Sequence, residues 1–153
     1  MIRRATTDDA YTLARLRQAM AEEMRPDAPR DQSFVERTFV YWYEMLEREQ
    51  ACSWLAEVER RPIGMASLLF HRHPPRPWGE RNRGYVTGVY VVPEQRRQGY
   101  GRALMEAVIA YGREQKLQRL ELRTSPGGRP LYAALGFRPQ EVLMLPLDEG
   151  LSG

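Results

Sequence analysis

Residues 85–102 read Tyr-Val-Thr-Gly-Val-Tyr-Val-Val-Pro-Glu-Gln-Arg-Arg-Gln-Gly-Tyr-Gly-Arg. A β-rich run, Tyr85–Val92, is interrupted by Gly88 and passes through a turn with two glycines into a helical pattern over Gly99–Lys116. A strand that feeds straight into a long helix constrains the chain to an α/β design. The turn has a chemistry of its own. The first amides of a helix lack internal partners, and the helix dipole favours negative charge there. Gly99 and Gly101 remove side chains, so backbone can approach a ligand closely. Arg96, Arg97 and Arg102 add positive charge. The segment reads as an anion cradle with a pyrophosphate as its natural guest, set against the plain alternative of a tight strand-to-helix connection. A dinucleotide fingerprint needs a third glycine where Leu104 stands, and a Walker A loop needs a Gly-Lys-Ser/Thr triplet that the chain lacks.

The flanking segments extend the pattern. Ile2–Ala5 reads as a short edge strand. Thr6 or Thr7 with Asp8 and Asp9 signals a helix start. Helical spacing runs on to Met24, with Leu13, Leu16 and Met20 as the buried stripe. Pro26 and Pro29 end that helix. A second helix is expected over Ser33–Gln50, with Phe34, Val35, Thr38, Phe39, Trp42, Met45 and Leu46 on one face. The period then changes to two. Cys52–Glu59 and Ile63–Phe70 read as an antiparallel hairpin turning at Arg60-Arg61-Pro62. A stiff loop with Pro74, Pro75 and Pro77 follows. Beyond the long helix, with Leu104, Val108 and Tyr111 inward, come a strand at Leu120–Arg123 and a short helix at Arg129–Leu135. Gly136 ends that helix, and a final strand is expected at Val142–Leu147. The expected order is β-α-α-β-β-β-α-β-α-β: one α/β domain over residues 1–153, its mixed, mostly antiparallel sheet covered by helices on both faces.

Composition narrows the function classes. The chain has 153 residues, 42% hydrophobic and 28% charged, which suits one globular domain. No run of 18 apolar residues is present, and MIRRATTDDA lacks the apolar stretch of a secretory signal. The one cysteine, Cys52, excludes an internal disulfide and a cysteine-based zinc site, and a reducing cytoplasm is the expectation. His71-x-His73 can face one way along an extended chain, but zinc needs a third ligand, so exposed loop histidines are expected and no metal. Net charge is +3. Of the 23 basic residues 22 are arginine, scattered along the chain and nearly cancelled by 20 acids, which argues against a nucleic-acid binder.

Arg96-Arg97-Gln98-Gly99-Tyr100-Gly101 resembles the Arg/Gln-x-x-Gly-x-Gly/Ala pyrophosphate loop of the GCN5-related N-acetyltransferase (GNAT) superfamily, and the preceding Val-x-Val-x-Pro-Glu fits the same pattern. Downstream, Leu131-Tyr132-Ala133-Ala134-Leu135-Gly136-Phe137 resembles the family's Tyr-x-x-x-Gly-Phe segment, and residues 124–132 resemble one bacterial branch. The ordered pair of motifs is more specific than either one.

The resemblance implies a fold and a chemistry. Acetyl-CoA would lie in a V between the strands at Tyr85–Val92 and Leu120–Thr124, splayed by a bulge for which Gly88 is a reasonable place. Val89, Tyr90 and Val91 would run along the pantetheine, the backbone of Val89 and Val91 pairing with its amides. The amides of Arg96, Arg97, Gln98, Gly99, Tyr100, Gly101 and Arg102 would hold the pyrophosphate, and Ser125 would contact the cofactor. Tyr132 would be the general acid to the departing thiolate; otherwise it is a tyrosine packed at a helix end. The reaction implied is direct acetyl transfer to a primary amine, with a small-molecule acceptor, no nucleic acid and no membrane; a homodimer is compatible with it. A non-catalytic acyl-CoA sensor of the same fold is the alternative. Some members carry a Glu early on the central strand, but Tyr85–Val92 holds no carboxylate. Glu80, His71, His73, Glu22, Glu23 and Asp27 are the stand-ins for a base, which stays unassigned. The aromatics of the second helix read as core, and Trp78 as a pocket or interface candidate.

Overall fold

The computed structural model describes residues 1–79 and 82–148. The chain forms two compact units, Met1–Arg123 and Thr124–Gly153.

The first unit is built on strands β1 (Ile2–Arg4), β2 (Ala51–Val58), β3 (Arg61–His71), β4 (Arg83–Val91) and β5 (Arg119–Leu122), lying side by side in that order. The first three pairings are antiparallel; β4 and β5 run parallel. Helices α1 (Ala10–Met24), α2 (Phe34–Glu47) and α3 (Tyr100–Glu114) complete it. The crossover from β4 to β5 runs through α3, as a parallel pair requires.

Side-chain alternation along β2 places the helices on opposite faces. Ala51 and Leu55 join Leu13 and Leu16 of α1, Trp42 of α2, Met65 of β3 and Tyr90 of β4 in one core. On the other face Trp54 meets Tyr111 of α3 edge-on, with ring centroids 5.4 Å apart. Leu104, Met105 and Val108 are the fully enclosed side chains of α3. With both faces covered, Ala51 to Ala56 are buried without interruption, so the strand reads as a continuous apolar run rather than a strict alternation. Ser53 and Ser67 are the polar exceptions, and their hydroxyls bond each other at 2.7 Å.

Two expectations need correction. The β2–β3 hairpin turns at Glu59 and Arg60, not at Arg60-Arg61-Pro62. Both residues take positive φ, 49° and 65°, and Val58 faces Arg61. Positive φ at both central positions is the geometry of a type I′ turn, whose twist matches the strands. The expected final strand at Val142–Leu147 is not formed: residues 138–148 hold neither helix nor strand. A strand needs a ladder partner, and the run is cut by Pro146, which has no amide to donate.

In the second unit, Pro126–Gly128 make one 3₁₀ turn and α4 (Arg129–Ala134) follows. Gly136 closes it with φ 98°, and the Gly136 amide donates to the Ala133 carbonyl at 3.0 Å. This is the left-handed position that glycine fills at a helix end.

Candidate functional site

The β4–β5 ladder runs from Arg83↔Arg119 to Val86↔Leu122 and stops. Strand β4 continues for five more residues, to Val91. On its other side the pairing with β3 slips: Met65 faces Tyr90, but Ser67 faces Thr87. The extra residue on β4 lies at Gly88–Val89, and Gly88 takes φ 64°. A bulge with glycine in the left-handed region bends a strand and increases its twist. Strand β4 therefore parts from β5 just past Val86, as the V implied by the family resemblance would have it.

The open side of this V is partly occupied. The Val92 amide donates to Ile63 on β3 at 2.8 Å, so the Val91 carbonyl points the other way. It accepts a hydrogen bond from Arg96 Nε at 2.9 Å. The same guanidinium grips Glu23, at the end of α1, with Nη1 to Oε1 at 2.7 Å and Nη2 to Oε2 at 2.8 Å. The Tyr90 hydroxyl donates to Glu23 Oε2 at 3.2 Å, and the Arg96 guanidinium lies 5.6 Å from the Tyr90 ring centroid. The hydrogen bonds from Arg96 first, with help from Tyr90, hold the Glu23 carboxyl below its ordinary range. Burial, then the Glu23 charge, pushes the Tyr90 phenol up, so it stays protonated.

After Val91 comes a 3₁₀ turn at Pro93–Gln95, then the turn into α3. Arg97 takes φ 60° and Gly99 φ 85°. Gly99 precedes the first helical residue, Tyr100, and no side chain caps the amides that follow. A Cβ built on Gly99 would meet nothing within 4 Å, so the space beside Gly99 is open. Arg102 pairs with Glu106 one turn on, at 3.0 Å, and Gln98 Nε2 reaches Gln95 Oε1 at 3.3 Å. The cradle thus offers backbone amides. Of the three arginines counted toward it, Arg96 and Arg102 already hold carboxylates.

The candidate bases separate clearly. Glu23 is an ion-pair member at the end of α1. His71 stacks on Tyr85, with ring centroids 6.0 Å apart, and faces Arg83 at the far end of β4 from the bulge. A cleft of about 640 Å³ opens there, with Arg4, Cys52, His71 and Tyr111 among its walls. Asp27 is exposed in the α1–α2 connection, Glu22 is half-buried, and Glu80 lies outside the described residues. Trp78 is exposed, with the Arg76 guanidinium 5.8 Å from its ring centroid. Trp42 is core, and Phe39 packs against that core, whereas Tyr41 and Tyr43 are exposed.

Arg17 is the residue that the sequence reading passed over. It lies four residues after Leu13 and three before Met20, hence on the buried stripe of α1, and it is half-buried. A Cβ built on Gly88 would stand 3.7 Å from Arg17 Nη1 and 3.5 Å from Met65 Cε. A charge on an otherwise apolar face was the available signal.

In the second unit, Ser125 precedes the 3₁₀ turn with an exposed side chain. The half-buried Tyr132 ring meets Phe137 edge-on at 5.8 Å, and the Phe137 amide donates to the Tyr132 carbonyl at 2.9 Å. Burial raises the Tyr132 phenol, which keeps its proton on at neutral pH.

Among the described residues no three of His, Cys, Asp and Glu gather as a metal site, and no helix is long and apolar enough to cross a membrane.

Comparison with known proteins matches this geometry to a family. The chain superimposes on the crystal structure of a predicted acetyltransferase with acetyl-CoA from Clostridium acetobutylicum with a TM-score of 0.84, at 24% identity and over 96% of each chain. It superimposes on a GCN5-related N-acetyltransferase from Ralstonia eutropha JMP134 with a TM-score of 0.81, at 27% identity, over 96% of this chain and 97% of that one. In sequence it is 29% identical over 96 residues to N-acetyltransferase 8 of Homo sapiens, covering 61% of this chain. It is 33% identical over 81 residues to the glucosamine 6-phosphate N-acetyltransferase of Trypanosoma brucei brucei, covering 53%. These alignments span only 41% and 54% of the two curated relatives. The model of the acetyltransferase (GNAT) family matches residues 13–137. On that match, over most of its length, the chain belongs to the acetyltransferase (GNAT) family.

Proposed function

We propose that this protein is an N-acetyltransferase, one domain over residues 1–153, which moves the acetyl group of acetyl-CoA directly to the primary amine of a small molecule. The observation that carries the reading is the start of α3: amides without a side-chain cap beside an open Gly99, soon after a strand whose edge has been freed at a bulge. Orphan amides and the positive end of the helix dipole suit a pyrophosphate. The freed edge of β4 suits the amide-bearing pantetheine arm as an added strand would. The amides from Arg96 to Arg102 bind the diphosphate, Val89 and Val91 align the arm, and Ser125 adds a polar contact.

In the reaction the neutral amine nitrogen attacks the thioester carbonyl. A C–N bond forms, the C–S bond breaks, and the thiolate takes a proton. Tyr132 is the donor in this reading, and its raised phenol keeps that proton available. The ammonium form of the acceptor must lose its proton before attack; β4 carries no carboxylate to take it, and the base is left unassigned.

Two measurements test the proposal. Calorimetry should show acetyl-CoA bound by the wild-type protein and lost by a folded Gly101→Asp variant, in which a carboxylate enters the cradle. Thiol release should then appear with an amine acceptor. Unchanged affinity in the variant overturns the cradle; binding without thiol release across amine classes leaves an acyl-CoA sensor.

A further inference from the structure

We infer that the acceptor carries an oxyanion, a carboxylate or a phosphate, and that Arg17 holds it. This rests on the transferase reading above and names its substrate class. Arg17 is half-buried on the stripe of α1 that carries Leu13 and Met20, and its Nη1 stands by Gly88, where β4 bends away from β5. Among the described residues no carboxylate pairs with it. Other arginines of this unit hold carboxylates: Arg96 takes Glu23, Arg102 takes Glu106, and Arg3 takes Asp9 and Glu57. Glu23, the carboxylate at the end of the same helix, is committed to Arg96 and Tyr90.

A half-buried guanidinium that no carboxylate engages keeps its donors available to an incoming anion. The same site is favourable once an anion arrives, because a planar fork of donors matches carboxylate or phosphate oxygens two at a time. Gly88 has no side chain, so nothing of its own stands between Arg17 and a ligand along the freed edge of β4. The amine must reach the thioester along that edge.

The test is a matched acceptor screen with acetyl-CoA. Each pair shares an amine and differs in one group: amino acids against their amides, and an amino-sugar phosphate against the free amino sugar. The two kinds of pair separate carboxylate from phosphate. Wild-type kcat/KM should favour the anionic member by roughly 10- to 100-fold, the range of a charge-assisted hydrogen bond. Arg17→Gln should collapse that ratio toward one, and Arg17→Lys should restore part of it. Thermal melting and acetyl-CoA calorimetry confirm that both variants are folded and donor-competent. A wild-type preference for neutral amines, or equal loss on both members in Arg17→Gln, overturns the inference while the transferase reading stands. No thiol release from any amine overturns both.

Discussion

Arg96 Nη1 lies 2.7 Å from Glu23 Oε1, and this contact ties the end of α1 to the turn that opens α3. The guanidinium is shared between that carboxylate and the Val91 carbonyl. A residue whose charge the sequence assigns to the pyrophosphate is thus held by the protein itself.

Glu23→Gln should tighten acetyl-CoA binding, because it releases Arg96 toward the pyrophosphate. Both side chains are well exposed, so the pair is worth roughly 0.2–1 kcal/mol, which corresponds to about a 1.5- to 5-fold lower Kd. The melting temperature should hardly move. Equal or weaker affinity by calorimetry would mean that Arg96 keeps its place on the α1 side when the ligand binds.

Stability should fall on the acid side through Asp9. Hydrogen bonds from Arg3, at 2.8 and 2.9 Å, hold the Asp9 carboxyl below its ordinary range, with a further bond from the Thr6 amide at 2.8 Å. The folded value lies below the unfolded one of about 3.9. The contribution is therefore complete above about pH 4 and disappears as pH falls through the folded value. Asp9→Asn should cost about 1 kcal/mol at neutral pH, since Arg3 is partly open to solvent, and should flatten the acid limb. Thermal melts from pH 7 to 2.5 on both proteins decide this; parallel curves remove Asp9 from the acid response.

The buried Ser53–Ser67 pair should behave as a unit. Ser53→Ala leaves the Ser67 hydroxyl without its partner in a sealed position and should cost about 1–3 kcal/mol. The double Ser53→Ala, Ser67→Ala variant should recover most of that loss, because no orphan remains. Urea unfolding of the wild type, the Ser53→Ala and Ser67→Ala single variants and the double variant measures the coupling, and simple additivity would show that the hydroxyls do not depend on each other.

Tyr132→Phe should keep the ring on Phe137 and lose the proton donor. We expect kcat to fall roughly 10- to 10³-fold with acetyl-CoA affinity little changed, since the interaction strengthens in the transition state. Steady-state rates with a step shown to be chemical provide the check. Equal kcat would leave Tyr132 a packing residue.

What the sequence determined by itself was the local grammar. Periodicity placed every helix and the five strands of the sheet within a few residues, and Gly136 marked the end of α4, because spacing and left-handed conformation are properties of short segments. The turn from β4 to α3 was legible for the same reason: Gly99 takes φ 85° just before the first helical residue, a conformation that glycine adopts freely. Tertiary structure decided the rest. Whether residues 142–147 are a strand depends on a ladder partner that no local pattern encodes, and they lie unpaired. The unbroken burial of β2 follows from helices on both faces. That Arg96 would meet Glu23, 73 positions away in sequence, and that Arg17 would stand at the bulge of β4, are consequences of packing α1 across the sheet. Charges find partners through space, and the sequence lists them without saying which will be left over.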